Sequence, residues 1–271
     1  ALRRLGLGPG KIRIEGVVAI VGLAVAWQIA SYFFPAFLFP SLPAIAVRFV
    51  AIFAQAGPPL EAAATFARIL GGLTGAFLLG SLLAFLMGRS DRVYRYIFPL
   101  LNFDQGIPAL SWVVISIIWF KGIEFRIFFI IVMTTLPAFS FQVLDAYRSM
   151  SKDLMEMTLS FRPGRLDRLR VLVLPTVLPG ILTAWKVNLG SASRVAVVAE
   201  LVGATGGIGY ELLQQQQLFD MAGAIAWTIV LVIFVLVIHS SRSLLFFVNN
   251  AISFIIVLFI LILILIVIVH R

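Results

Sequence analysis

The sequence predicts an all-α membrane protein that crosses the bilayer several times, and three observations predict it. Hydrophobic residues make up 61% of the 271-residue chain, against roughly 45–50% apolar in soluble domains, and mean hydropathy is +1.07. Charged residues make up only 12%, too few to cover a water-facing surface. The apolar residues gather into stretches of about 20, the length that crosses the hydrocarbon core as a helix. The chain length fits one membrane domain of about five to seven spans with short loops.

The charges sort by side. Arg3, Arg4, Lys11 and Arg13 precede the first span, and Arg89, Arg92 and Arg95 follow the second. Arg148, Lys152, Arg162, Arg165, Arg168 and Arg170 follow the fourth, and Arg242 follows the sixth. The alternate loops hold Arg48, Lys121 and Arg126. By the positive-inside rule the N-terminus and the 145–172 segment are cytoplasmic. The net charge of +9 is therefore a matter of topology. A nucleic-acid partner is excluded, because no soluble basic module with interleaved aromatics is present. With no cysteine there is no disulfide framework and no thiolate metal site. The first apolar stretch lacks a small-residue cleavage site after it and reads as a retained span.

Residues 1–15 form a cytoplasmic basic arm, and 16–245 the membrane domain. Span one covers about Gly16 to Phe34. Pro35, Pro40 and Pro43 then break the chain before a short amphipathic helix near Ala44–Gln55, too short to cross and suited to the outer interface. Span two, about Thr65 to Gly88, repeats small residues on one face at Gly72, Gly75 or Ala76, and Gly80, which allows close helix packing in lipid. Span three, about Tyr96 to Phe120, is interrupted by Pro99, Gly106 and Pro108. Broken helices at membrane depth are tolerated where they line protein or a cavity, so Asp104 and Pro108 are candidates for a translocation path. The alternative for Asp104 is a place near the inner interface, paired with Arg95 or solvated.

Span four, about Phe125 to Leu144, contains Pro137. The following run, DAYRSMSKDLMEMTLSFRPGRLDRLRVLVLPTVLPG, is the only long charged stretch, with apolar residues recurring at helical spacing. Its break falls at Arg162-Pro163-Gly164, since the residue before a proline is pushed out of the helical region. It reads as two short amphipathic helices joined by a turn, a docking surface between spans. Span five begins at Leu174-Pro175, runs to about Gly203 and carries Lys186, Arg194 and Glu200. Glu200 lies six residues after Arg194, so the two side chains diverge by about 120° and each needs a partner elsewhere. Glycines 206, 207 and 209 make a tight turn, a short polar helix follows, and span six covers about Ala222 to Ile238. Residues 246–271 form a hydrophobic tail, either a seventh span or a helix lying against the bundle.

The 145–180 segment resembles the EAA loop of the permease subunits of bacterial ABC importers. In that register Glu156-Met157-Thr158 stand for Glu-Ala-Ala, Arg162 for the glycine, Leu172 for the isoleucine, and Leu174-Pro175 for Leu-Pro. Both alanines and the glycine are replaced, while the bend is kept two residues on at Pro163-Gly164. Three more stretches resemble the branch handling nitrate, sulfonates, taurine and bicarbonate. These are Phe39-Pro40-Ser41 with Ala44 and Val47; Ile107-Pro108-Ala109 followed by Ile118-Trp119-Phe120, with Lys121 where glycine is usual; and Ala199-Glu200-Leu201 with Gly207-Ile208-Gly209-Tyr210. They occur in order over about residues 38–240, and the tail beyond 245 has no counterpart.

The resemblance implies a type I ABC importer permease fold of about six transmembrane helices plus the hydrophobic tail, in a bacterial inner membrane. It implies a second permease copy, a cytoplasmic ATPase dimer and an external solute-binding protein. ATP and magnesium would sit on the ATPase, with no cofactor bound by this chain. Glu156, Met157, Thr158, Arg162, Gly164, Leu174 and Pro175 would couple to the ATPase. Asp104, Pro108, Lys186, Arg194 and Glu200 would line the path of a small anionic solute. Gly207, Gly209 and Tyr210 would meet the binding protein. There is no P-loop, H-E-x-x-H or nucleophile elbow, so no enzyme is expected. Two rival readings are an ion-coupled secondary transporter using Arg194, Glu200 and Lys186, and a structural membrane subunit. The first lacks the internal repeat such transporters show, and the broken third span speaks against the second.

Overall fold

The computed structural model describes residues 14–54, 57–161, 164, 167 and 169–239. The basic arm to residue 13, Gln55, the Arg162-Pro163 break and the whole hydrophobic tail lie outside the described residues. Ten α-helices are described: α1 (Ile14–Phe33), α2 (Leu42–Ala54), α3 (Gly57–Arg89), α4 (Asp91–Gly106), α5 (Ala109–Trp119), α6 (Ile123–Arg148), α7 (Lys152–Ser160), α8 (Leu174–Leu201), α9 (Ile208–Gln217) and α10 (Met221–His239). No strand is present among them.

By length and apolarity α1, α3 and α6, among the described residues, are able to cross a membrane, and the bent pair α4–α5 passes the same test together, as a broken span or a re-entrant loop. At 28 residues, α8 is about 42 Å long, but prolines and charges dilute its apolar character. The span limits expected from sequence agree with the helices to within a few residues, except that α3 starts eight residues earlier, at Gly57 rather than Thr65. Most of the second amphipathic helix expected in the charged segment lies outside the described residues; Asp167 is helical, and Leu169–Val173 form a π-helical turn that runs directly into α8. Pro99, Pro137 and Pro179 lie inside continuous helices, so the interruption expected at Pro99 is absent and the break of the third span falls at Ile107-Pro108 alone.

The core is the close packing of α3, α6 and α8. The small residues of α3 explain it. Gly72 lies so near α6 that a Cβ there would stand 2.7 Å from the Cβ of Ile131; one on Gly75 would stand 2.6 Å from the ring of Phe128. Gly80 faces Phe139 and the backbone of Leu136. The same device recurs between α6 and α8, where a Cβ on Gly180 would fall 2.6 Å from that of Ala146. With lipid as apolar as the helices themselves, such contact is what draws spans together.

The third expected span is two helices meeting at 95°. Ile107, the residue before Pro108, takes an extended conformation (φ −80°, ψ 122°), as the proline ring requires. The backbone then restarts at Pro108, whose carbonyl accepts from the Ser111 N–H. A smaller apolar cluster of Ile52, Ala62, Val197, Ile208, Ala226, Trp227 and Val230 joins α2, α3, α8, α9 and α10 at the far end of α8 from α7. Helix α1 buries no residue and docks by its last turns, where the Trp27 indole donates to the Pro40 carbonyl at 3.0 Å.

Neighbouring glycines on α3 test the packing. Gly71 has open space where a Cβ would be, whereas Gly72 meets Ile131. Gly71→Ala should leave stability unchanged or raise it by up to about 1 kcal/mol, the helix preference of alanine over glycine. Gly72→Ala should lower it by about 1–3 kcal/mol through overpacking. Thermal unfolding of the two purified variants in one detergent reads the difference, and equal midpoints would contradict the close approach.

Candidate functional site

One face of α3 changes character along its length. Glu61, Thr65 and Arg68 fall at i, i+4 and i+7, so they share a stripe, and Gly72, Ala76 and Gly80 continue it toward the other end. The polar third of this stripe meets Glu200, in the last turn of α8, and the loop that follows it.

Glu200 is fully enclosed. Its carboxylate accepts from the Thr65 hydroxyl (2.9 and 3.0 Å to its two oxygens), from Arg68 Nη1 at 2.8 Å and from the Gly209 N–H at 2.9 Å. Arg68 also donates from Nη1 to the Gly206 carbonyl at 2.9 Å. With Nε and Nη2 it grips Glu124, at the start of α6, in a two-pronged contact of 2.9 and 2.6 Å. The remaining members hold the loop. Glu61 accepts from the Gly207 N–H at 2.6 Å, and the Thr65 oxygen accepts from the Ile208 N–H at 2.8 Å. Gly207 has φ +111°, a conformation that favours glycine, and a Cβ there would stand 2.5 Å from Glu200. At Gly209 a Cβ would collide with the Val197 carbonyl. Both glycines are therefore needed for this approach.

Glu211, in the first turn of α9, is pushed above the usual carboxylate range, first by burial and then by the charge of Glu61, with a Gln215 hydrogen bond opposing the shift. A raised acid pKa means that the seating of α9 is most favoured below the ordinary glutamate range and weakens as pH rises through the raised value.

The other residues singled out from sequence are spread along the bundle. Asp104 sits in the last turn of α4 beside the bend. Its two carboxylate oxygens are buried and have no hydrogen-bond partner among the described residues, so the pairing with Arg95 weighed for it is not present. The Trp112 indole N–H, equally without an acceptor, is the donor that bears on it from α5. Pro108 is exposed at the bend. On α8, Lys186 is half-buried and Arg194 exposed, and neither forms an ion pair among the described residues. Asp104, Lys186 and Arg194 are not in contact with one another as ion pairs or hydrogen bonds.

At the other end of α8, Glu156 and Met157 stand exposed on α7, and Thr158 is half-buried. Gly164 is exposed, Arg162 lies outside the described residues, and Leu174-Pro175 open α8. Tyr210 is half-buried, its hydroxyl accepting from Gln214 Nε2 at 2.6 Å. Sequence reasoning pairs Glu200 with an unnamed helix and passes over Thr65 and Arg68. The stripe they form with Glu61 was the available signal. No cluster of three metal-ligating side chains occurs among the described residues.

The sequence pattern described as "Binding-protein-dependent transport system inner membrane component" matches residues 76–271, well over half of the chain. The chain belongs to that family. Among its relatives is the formylaminopyrimidine transport permease protein ThiX of Halalkalibacterium halodurans, 27% identical over 79% of this chain and 85% of the relative. Another is the taurine transport system permease protein TauC of Escherichia coli, 28% identical over 55% of this chain and 54% of the relative. The fold resembles a chain of the MetNI methionine ABC transporter, solved in inward-facing conformations, with TM-score 0.54 and 21% identity over 65% of this chain and 86% of that one. The permease thus has the type I importer fold, as the four sequence stretches implied, and is a transport subunit.

The two legs of Arg68 differ in worth. Glu124 makes the shorter contact, 2.6 Å, but its side chain is 67% exposed; that of Glu200 is 0% exposed. Exposed pairs contribute up to about 1 kcal/mol, whereas breaking a buried one costs about 3–5 kcal/mol. Glu124→Gln should therefore be nearly silent, and Glu200→Gln should destabilise the permease by about 3 kcal/mol or more. Chemical unfolding in detergent gives the ranking, and the reverse order would refute it.

Proposed function

We propose that the permease is the membrane-spanning subunit of an ATP-driven importer, taking a small anionic solute from an external binding protein and coupled through α7 to a cytoplasmic ATPase dimer. In this reading two copies form the path, the N-terminus and α7 face the cytoplasm, and α9 faces outward. ATP and magnesium belong to the ATPase. The family assignment is the observation that carries the reading. Its placement on this chain is supported by α7, a nine-residue helix between α6 and α8 with Glu156 exposed and Met157 58% exposed, a mixed surface suited to a protein groove. The ion-coupled and purely structural readings draw no support from the family.

For the solute, Lys186 and Arg194 favour an anion. Eight residues apart, they diverge by only about 80° on α8, and an intramembrane cation without a partner costs about 2.5–3.5 kcal/mol even on the gentler scale. A wet cavity or an anion relieves that cost. The relative named for taurine, a sulfonate, fits this chemistry. The unsatisfied Asp104 carboxylate favours a second reading, a solute rich in hydrogen-bond donors, and the relative named for formylaminopyrimidine fits that one. The cations on the core helix α8 weigh more than an acid at the rim of a bend.

Two substitutions test the reading in the assembled importer. Glu156→Ala should cut uptake at least about tenfold, the effect of losing one charge-assisted contact, while the subunit stays assembled in the membrane. Unchanged uptake and unchanged ATPase stimulation would remove the coupling role. Arg194→Gln should abolish anion uptake with normal assembly. Loss of assembly instead would make Arg194 structural, and retained anion uptake with loss only in Asp104→Asn would favour the donor-rich solute.

A further inference from the structure

The N-terminus of α9 has no cap of its own. A helix leaves its first N–H groups without partners, and a local Ser, Thr, Asp or Asn usually accepts from one of them. Here the cap position is Gly207, which has no side chain, and it is followed by Ile208 and Gly209. Yet three consecutive N–H groups are satisfied, each by a side chain from outside the helix: Gly207 by Glu61, Ile208 by Thr65 and Gly209 by Glu200. Two of these acceptors lie 146 and 143 residues away in sequence. Two are carboxylates, the charge that a helix N-terminus favours. Arg68 closes the arrangement by binding both Glu200 and the Gly206 carbonyl.

We infer that Glu61, Thr65 and Glu200 are positioning residues that cap α9 from α3 and α8 and so fix the surface α9 presents. A ten-residue helix is too short to hold itself in water, and a glycine-rich lead-in gives it no stiffness. Along its length α9 packs on α8 and α10. Its first turn is anchored to α3 by these side-chain contacts, so its direction depends on them. Thr65 is the pivot: it is completely buried, accepts from Ile208 and donates to Glu200. The consequence for import rests on the reading that α9 meets the binding protein. A helix already held in its docking orientation binds more tightly than one that must be ordered on contact.

The experiment uses the permease assembled with its ATPase in lipid nanodiscs and reads amide hydrogen exchange at 207–209. Thr65→Val keeps the shape and removes the hydroxyl. The Ile208 amide should exchange about tenfold faster or more, the effect of one lost buried hydrogen bond, with Thr65→Ser restoring it and amides in the middle of α3 and α6 unmoved. Glu61→Ala, nearer the rim and without a buried charge to strand, should accelerate the Gly207 amide in the same way if Thr65→Val fails to assemble. The binding-protein concentration that half-stimulates ATP hydrolysis should rise severalfold, with maximal stimulation retained. Unchanged exchange at 207–209, or acceleration spread evenly over α3, overturns the capping role. Local acceleration with an unchanged half-stimulating concentration upholds the cap and rejects α9 as the docking helix.

Discussion

A carboxylate enclosed by helices has to find inside the protein the donors that water would have supplied, and the position of Glu200 at the end of α8 makes that requirement organise one whole end of the permease. Its donors come from α3 and from the loop after α8, and Arg68 extends the set to α6. Three regions far apart in sequence, α3, α6 and the end of α8 with its following loop, are thereby brought to one point. Remove the acid and Arg68 loses its buried partner, Thr65 its acceptor and the Gly209 N–H its cap. This is why the last turn of α8 and the glycine loop occupy one place rather than several.

The same face of α3 serves two kinds of contact. At its start the stripe is polar and close enough to Glu200 and the loop to hydrogen-bond; further on it is glycine and alanine, and α6 presses against it. Both depend on short distance, and both are intolerant of added atoms. The rigid centre of α3, α6 and α8 that results stands in contrast to α1, which buries nothing, and to the bent α4–α5 pair, where Asp104 is left unsatisfied. A half-buried acid beside a helix break, with only the Trp112 indole bearing on it among the described residues, is a feature the packing does not explain by itself.

The long helix α8 connects two ends with different chemistry. One carries α7 with its exposed glutamate and methionine, and the other carries α9 seated through charged and glycine contacts. Between them α8 is continuous from Leu174 to Leu201 despite Pro179. Its packing on α6, through Gly180 and Ala146, lies nearer the α7 end. The Glu200 contacts lie at the other.

Composition and charge placement determined the class of this protein, because a chain this apolar has only one solvent that suits it. Pro108 marked where a helix breaks, since a ring that removes a donor and restricts its neighbour acts locally, whereas Pro99, Pro137 and Pro179 lie within helices that continue through them. Helix spacing made the glycine face of α3 readable, and four short stretches were enough to indicate the family. The size of the bend at Ile107-Pro108 was not readable, because a proline marks a break without setting its angle. Nor were the partners of Glu200. An isolated acid in a span announces that it needs donors, but Arg68 and Thr65 lie 132 and 135 residues away, and only the packing of α3 against α8 decided that these side chains would meet it.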